Sequence, residues 1–336
     1  MNNFWKSLPK PFFALAPMED VTDTSFRELV MQIAHPGNLH VVFTEFTSVD
    51  GLLHSKGFGN VSFRLKVSET ERSVLDKKNA KIVAQIWGSD PEKFNKAAQI
   101  ISNDFRFDGI DINMGCPVKK VVKSASCSAL IIDPARALEI VQATKEGTQL
   151  PVSVKTRTGF KRHETERWIP QLLRAKPAAI ILHGRYQSML SNGEADWSEI
   201  ATAVKLRNEI LPECIIVGNG DVESLEQGYK LAHETDVDGL MIGRGIFKNI
   251  GLFSNQPTLG IDEKIHWMKT HIRLFSKNWD YERNPQQLKR FFKIYLNSFE
   301  GAHLIRDSLM HKNKYDEFLD ILDEIEMDNI LIDEKK

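Results

Sequence analysis

Cys116 stands between Gly115 and Pro117, directly after the apolar run Gly109-Ile110-Asp111-Ile112-Asn113. A strand that stops at a Gly/Pro turn presents its thiol on rigid backbone, where a cysteine acts as an acid or a nucleophile. A cysteine buried as a small apolar residue is the competing reading. Lys155 ends the run Ser153-Val154-Lys155 and is followed by Thr156 and Arg157. It suits a Schiff base, or a cation beside a developing anion; a salt-bridged barrel lysine is the alternative. His183, in Leu182-His183-Gly184-Arg185, is either a donor to a carbonyl or phosphate or a structural histidine. Gln85 carries both a donor and an acceptor, as a pyrimidine-like ring edge requires. Glu45 is a site carboxylate or the partner of one. Gly218-Asn219-Gly220-Asp221 and Gly243-Arg244-Gly245 are small-residue turns. Their backbone N–H groups can approach an anion closely, and Arg244 adds a fork of donors. A phosphorylated cofactor or substrate is expected there.

The elements that must position these residues are short apolar runs alternating with helical patterns up to about residue 250. The runs are Phe12 to Ala16, Val41 to Glu45, Ile82 to Ile86, Gly109 to Asn113, Pro151 to Lys155, Ala179 to His183, Ile215 to Gly218, and Gly239 to Ile242. Near-continuous apolar runs are what parallel strands buried on both faces require. Helices are expected over Asp23 to Ile33, Pro91 to Ile101, Ala135 to Thr144, Trp197 to Ile210 and Ser224 to Ala232. Asp90-Pro91 and Asp133-Pro134 are N-cap signals with proline at the first helical position. Strands joined by helical crossovers in this number make a (β/α)8 TIM barrel, with a doubly wound open sheet as the alternative. In a barrel the C-terminal strand ends face the active site. Here those ends carry Pro17 and Met18, Glu45, Gln85, Asn113 with Cys116, Lys155, His183 with Arg185, Asn219 with Asp221, and Arg244.

From about Gly260 strand signals vanish, and Ile261 to Trp279, Pro285 to Phe299, Ala302 to Met310 and Tyr315 to Ile325 read as helices. The boundary falls near Leu252 to Gly260, where Pro257 and Gly260 punctuate the chain. This divides it into a barrel over residues 1–252 and a helical domain over 253–336. The 336 residues have a formal net charge of -1, so a nucleic-acid surface has to be local. Residues 261 to 314 hold eleven Lys/Arg against six Asp/Glu, and residues 315 to 336 hold nine Asp/Glu against two Lys/Arg. Lys289-Arg290-Phe291-Phe292-Lys293, with Tyr295, interleaves cations and aromatics. That suits phosphates and stacked bases, or else a small aromatic core with a solvated charged face. The three cysteines form no C-x-x-C pair, so neither a zinc site nor a disulfide framework is expected. With no signal-peptide pattern and no long apolar run, the simplest placement is the cytoplasm.

Taken together, the ordered motifs resemble the tRNA-dihydrouridine synthases, flavin enzymes that reduce uridine in tRNA. The likeness runs through Ala16-Pro17-Met18-Glu19-Asp20-Val21-Thr22-Asp23, Thr44-Glu45, Gln85 and Asn113-Met114-Gly115-Cys116-Pro117-Val118-Lys119-Lys120-Val121. It continues through Val154-Lys155-Thr156-Arg157, His183-Gly184-Arg185, Ala195-Asp196-Trp197, Gly218-Asn219-Gly220-Asp221 and Ile242-Gly243-Arg244-Gly245. The resemblance implies FMN as cofactor, NADPH as reductant and tRNA as substrate. It implies that Pro17 and Met18 line the flavin, and that Gln85, Lys155 and His183 contact its ring. Asn219, Gly220, Asp221, Gly243 and Arg244 would hold its ribityl and phosphate groups. It implies Cys116 as the general acid, a thiol kept protonated at neutral pH by its ordinary pKa of about 8.5. Asn113 and Arg185 would be further site residues, and Lys289 and Arg290 would meet the RNA. It makes residues 1–252 a catalytic FMN-binding barrel and 253–336 an RNA-binding domain. The chain departs from the family at Lys123-Ser124-Ala125-Ser126-Cys127-Ser128, where glycines are usual, and at Tyr186-Gln187-Ser188-Met189-Leu190. The rivals are an FMN reductase of a free pyrimidine or other small unsaturated substrate, a Schiff-base aldolase using Lys155, and a non-catalytic RNA-binding barrel.

Overall fold

The computed structural model describes residues 3–256, 258–279 and 283–333. Pro257, one of the two boundary markers, lies outside them, as do the last residues of the acidic tail. Eight parallel strands close into a ring: β1 (Phe12–Leu15), β2 (Val41–Phe43), β3 (Lys81–Trp87), β4 (Gly109–Met114), β5 (Val152–Arg157), β6 (Ala179–His183), β7 (Ile215–Asn219) and β8 (Gly239–Ile242). Each pairs with its sequence neighbour, and β1 pairs with β8, so no edge is left open. A two-residue extension, Thr47–Ser48, pairs with the end of β3. The open-sheet alternative is thereby excluded.

Side chains alternate across each strand, so one set faces the barrel interior and the other the helices. Phe12, Ala14, Val41, Phe43, Val83, Ala179, Ile181, Ile215, Val217 and Met241 form the interior cluster, plugged from below by Phe4 and Trp5. Phe13, Leu15, Val42, Ile82, Ala84, Ile110 and Ile112 belong to the outer cluster under the helices. The interior set changes character along the strands. Apolar at the N-terminal ends, it becomes Gln85, Asn113, Lys155, His183 and Asn219 at the C-terminal ends, where these residues line a cavity. The register carries this around the ring: Asn113 lies opposite Lys155, and His183 opposite Asn219.

The crossover helices include α1 (Thr24–Ile33), α2 (Glu69–Lys78), α3 (Pro91–Asp104), α4 (Pro134–Glu146), α5 (Thr165–Arg174), α6 (Trp197–Ile210) and α7 (Leu225–Thr235). The expected caps form: Asp90 and Asp133 each accept backbone N–H bonds with proline just inside the helix. Neither α2 nor α5 is expected from the sequence. Pro170 inside α5 masks a helix that buries Trp168, Ile169, Leu172 and Leu173.

Beyond the barrel come α8 (Ile261–Trp279), α9 (Ala302–Met310) and α10 (Tyr315–Asp333). The helix expected over Pro285 to Phe299 is instead a 3-10 segment, Pro285–Phe291, running into a single turn, Phe292–Tyr295. The tail is not a separate core. The outer cluster of the barrel continues through Phe26 into Ile265, Ile272, Trp279, Phe291 and Phe292, and Phe26 stacks on Phe291 at 5.2 Å. No helix among the described residues is long and apolar enough to cross a membrane.

Candidate active site

The C-terminal strand ends open into a cavity of about 1110 Å³. Its floor and walls carry Pro17, Met18, Gln85, Asn113, Cys116, Lys155, His183, Asn219, Gly220, Asp221, Gly243 and Arg244. Every residue expected around a flavin, and Cys116 and Asn113, therefore meet in one place. Arg290, Phe291, Lys293 and Asn297 of the helical tail close the mouth from the other side.

The Cys116 turn is held from beneath by a chain of hydrogen bonds. Ser153 Oγ donates to Asp111 Oδ1 at 2.6 Å, and Gln85 Nε2 donates to Asp111 Oδ2 at 2.7 Å. Asn113 Nδ2 then donates to Gln85 Oε1 at 3.0 Å. The other end of that amide, Asn113 Oδ1, accepts from the backbone N–H groups of Gly115 and Cys116, each at 3.0 Å. A short polar side chain bonding the backbone two and three residues on is the usual device for stopping a strand in a tight turn. Asp111 is fully buried, and burial raises its pKa to about 6 against these bonds. Neither Asp111 nor Arg157 figures among the expected site residues. Arg157 Nε donates to Gly115 O at 2.9 Å, and its Nη1 holds Leu190 O at 2.9 Å and Tyr186 O at 3.3 Å. The unusual Tyr186–Leu190 loop is thus tied to the thiol turn. Arg157's place beside Lys155 at a strand end is the signal that points to it.

The Cys116 thiol does not keep its ordinary acidity. A hydrogen bond from Cys127 is the largest influence and lowers its pKa; burial opposes this, and Val118 N–H and Arg157 add to it, leaving about 7. This corrects the expectation of a thiol wholly protonated at neutral pH. Lys155 Nζ donates to Asn219 Oδ1 at 2.9 Å, and burial next to Arg157 lowers its pKa to about 8. His183 Nε2 lies 3.1 Å from Arg185 Nη1. Arginine can only donate, so Nε2 accepts and the ring proton sits on Nδ1. Burial and the cations Lys155, Arg157, Arg185 and Arg244 hold the imidazole well below its usual pKa, so it is neutral.

Arg185 is buried at 2% exposure and does not line the cavity. Its guanidinium bonds Asp221 Oδ2 at 2.5 Å and Gly193 O at 2.6 Å, so it supports His183 and Asp221 from behind rather than meeting a substrate. Asp221 in turn lies 3.5 Å from Arg244. Lys289 also lies outside the cavity lining. Its ammonium caps the C-terminal end of α9 at Met310 O, 2.7 Å, and reaches Asn313 Oδ1. Phe291, Phe292 and Tyr295 are buried at 4%, 2% and 1% exposure, so these aromatics are core and cannot stack on bases. Arg290 does face the mouth, bonded to Asp20 O at 2.8 Å. Glu45 is fully buried; it accepts from Asp20 N–H at 2.8 Å and faces Arg283 at 3.5 Å.

The family model "Dihydrouridine synthase (Dus)" matches residues 14–331. The chain belongs to the dihydrouridine synthase family. It is 41% identical over 96% of its length to the "Probable tRNA-dihydrouridine synthase 2" of Bacillus subtilis (strain 168), of which it covers 97%. It is 41% identical to the "Probable tRNA-dihydrouridine synthase" of Staphylococcus aureus (strain COL) and 40% to that of Staphylococcus epidermidis, covering 96% of each. In this family the barrel-mouth cavity is where an oxidoreductase site is to be sought, and the cavity described above is the one at that mouth.

Proposed function

We propose that the chain reduces the C5–C6 double bond of specific uridines in tRNA, with FMN as bound cofactor, NADPH as reductant and Cys116 as proton donor. The observation that carries this is the thiol on its Asn113-anchored turn, sharing one cavity with Lys155, His183 and Arg244. The residues present fit FMN. Lys155 is a buried ammonium whose one described hydrogen-bond acceptor is a neutral amide, which leaves it free to meet an anionic ring. A side chain built on Gly243 would meet only Ala16 Cβ, at 3.6 Å, so backbone stays open beside Arg244 for a phosphate. Pro17, Met18, Gln85, Lys155 and His183 would hold the ring, and Asn219, Gly220, Asp221, Gly243 and Arg244 the ribityl phosphate. When bound, FMN supplies the hydride that goes to C6 of the uracil ring.

The chain's own residues do the rest. Cys116 Sγ delivers a proton to C5, and its pKa of about 7 matches the working pH of a general acid. His183 stays neutral and donates from Nδ1. Lys155 offsets negative charge. A uridine has to leave its RNA stack to reach this depth, and Arg290 and Lys293 at the rim offer cations to the phosphates on either side. The test is incubation of FMN-loaded protein with NADPH and unmodified tRNA, with dihydrouridine located by mass spectrometry. Inability to take up FMN sinks the proposal; equal reduction of free uridine transfers it to the small-substrate rival.

A further inference from the structure

Cys127 is fully buried and has a left-handed backbone, φ 53°. Ala125, two residues before it, has φ 54°. Glycine adopts this region without steric penalty and a residue with a Cβ does not. The strain therefore sits in the stretch where the chain departs from the glycines of its relatives. Strain of this kind persists where surrounding structure over-determines it, and the sound inference runs from the outlier to a role. The surroundings here are specific. Ser128 Oγ donates to Cys116 O at 2.8 Å, and Ser128 N–H lies 3.4 Å from the same oxygen. The two segments are clamped together, and the Cys127 thiol hydrogen-bonds the Cys116 sulfur.

We propose that Cys127 is a positioning residue for the reaction, its S–H donating to the Cys116 sulfur so that the proton-delivering thiol keeps one orientation and an acidity matched to neutral pH. This rests on the reading of Cys116 as proton donor. The direction of donation follows from the environments. Cys127 is buried and its own pKa is raised well above the ordinary value, so it stays a thiol and donates. Cys116 faces the cavity and accepts. The other charged groups facing Cys116 are Arg157, which favours its thiolate, Glu19, which opposes it, and Lys155 on β5. Arg157 is committed to Gly115 O and the loop carbonyls. Cys127 is thus the partner whose removal changes the sulfur while leaving the rest of the site in place.

The test is the pH dependence of iodoacetamide alkylation at Cys116 in the FMN-loaded protein, read by peptide mass spectrometry without any turnover. Cys127→Gly removes the thiol at a φ that glycine accepts, so it retains the turn. Its alkylation midpoint should rise from about 7 toward the ordinary thiol value of about 8.5. Cys127→Ser keeps a donor and should hold the midpoint near the wild-type one. A Cys127→Gly midpoint that does not move overturns the proposal, and so does an equal rise in both variants, which would assign the effect to the backbone. Turnover by Cys116→Ala would sink the proton-donor reading instead, while leaving the alkylation midpoints as they are.

Discussion

Cys116 is set by three supports of different kinds: the Asn113 amide that stops the strand, the Arg157 guanidinium on the Gly115 carbonyl, and the Cys127 thiol on its sulfur. If it is the proton donor, Cys116→Ala should retain bound flavin, visible as its absorbance, and lose about 10²- to 10⁴-fold in turnover. Turnover within a few-fold of wild type would remove Cys116 from the role. The sign of the pH dependence follows from its acidity. Only the protonated thiol can give a proton, so kcat/KM should fall as pH rises through about 7, approaching roughly tenfold per unit above it. A rate that is flat across that value would assign the proton to another group. Asp111 is invisible to motif reading because it touches nothing in the cavity. It acts through Gln85, and only the side-chain direction within β4 reveals it.

At the scale of elements, the strand ends build the floor of the cavity and the helical tail its roof, and the joint between them is an ionic one. Arg283 lies over the rings of Trp279 and Phe63 at 3.9 and 4.5 Å, bonds Asp23 at 3.1 Å and faces Glu45 at 3.5 Å. Asp23 also caps α1 and accepts from Trp279 Nε1. One guanidinium thus serves two buried carboxylates. Arg283→Ala should lower stability by about 3 kcal/mol, measured by denaturant unfolding, because it leaves both acids in a dry joint. One cation cannot keep both acids ionised, and burial, with Asp23 nearby, raises Glu45 to about 7 from its ordinary 4.5. The folded state then holds this proton more tightly than the unfolded chain. Its share of the stability is complete below pH 4.5, declines as pH rises to about 7, and is lost above that. Glu45→Gln should remove that share of the slope, seen as a flatter Tm profile across the window; an unchanged profile would show Glu45 to be ionised throughout. Arg283 carries no sequence signal of its own, since it comes from the far end of the chain to meet Asp23.

For the molecule as a whole, the shared core makes deletion of the tail an unfair test of RNA binding, because it would strip Phe26 and α1 of their cover. Single rim cations test it better. Lys293→Ala should weaken tRNA binding evenly across sequences and reduce the log–log salt slope by about one, measured by titration at several ionic strengths; an unaltered slope would remove Lys293 from the phosphate contacts. The sequence by itself determined the eight strands, the polar ends they present and the thiol among them. Apolar runs buried on both faces and a strand broken by Gly115 and Pro117 are local signals, legible residue by residue. It also left two readings of the tail's aromatics, and packing chose between them: Phe291, Phe292 and Tyr295 went inward because the barrel helices offered an apolar face there. Only the tertiary structure decided that Arg185 and Lys289 stand away from the cavity, that Asp111 and Arg157 hold the thiol turn, and that Cys127 touches Cys116. Those facts depend on which side chains meet across strands and loops distant in sequence, and on the burial that sets their charge.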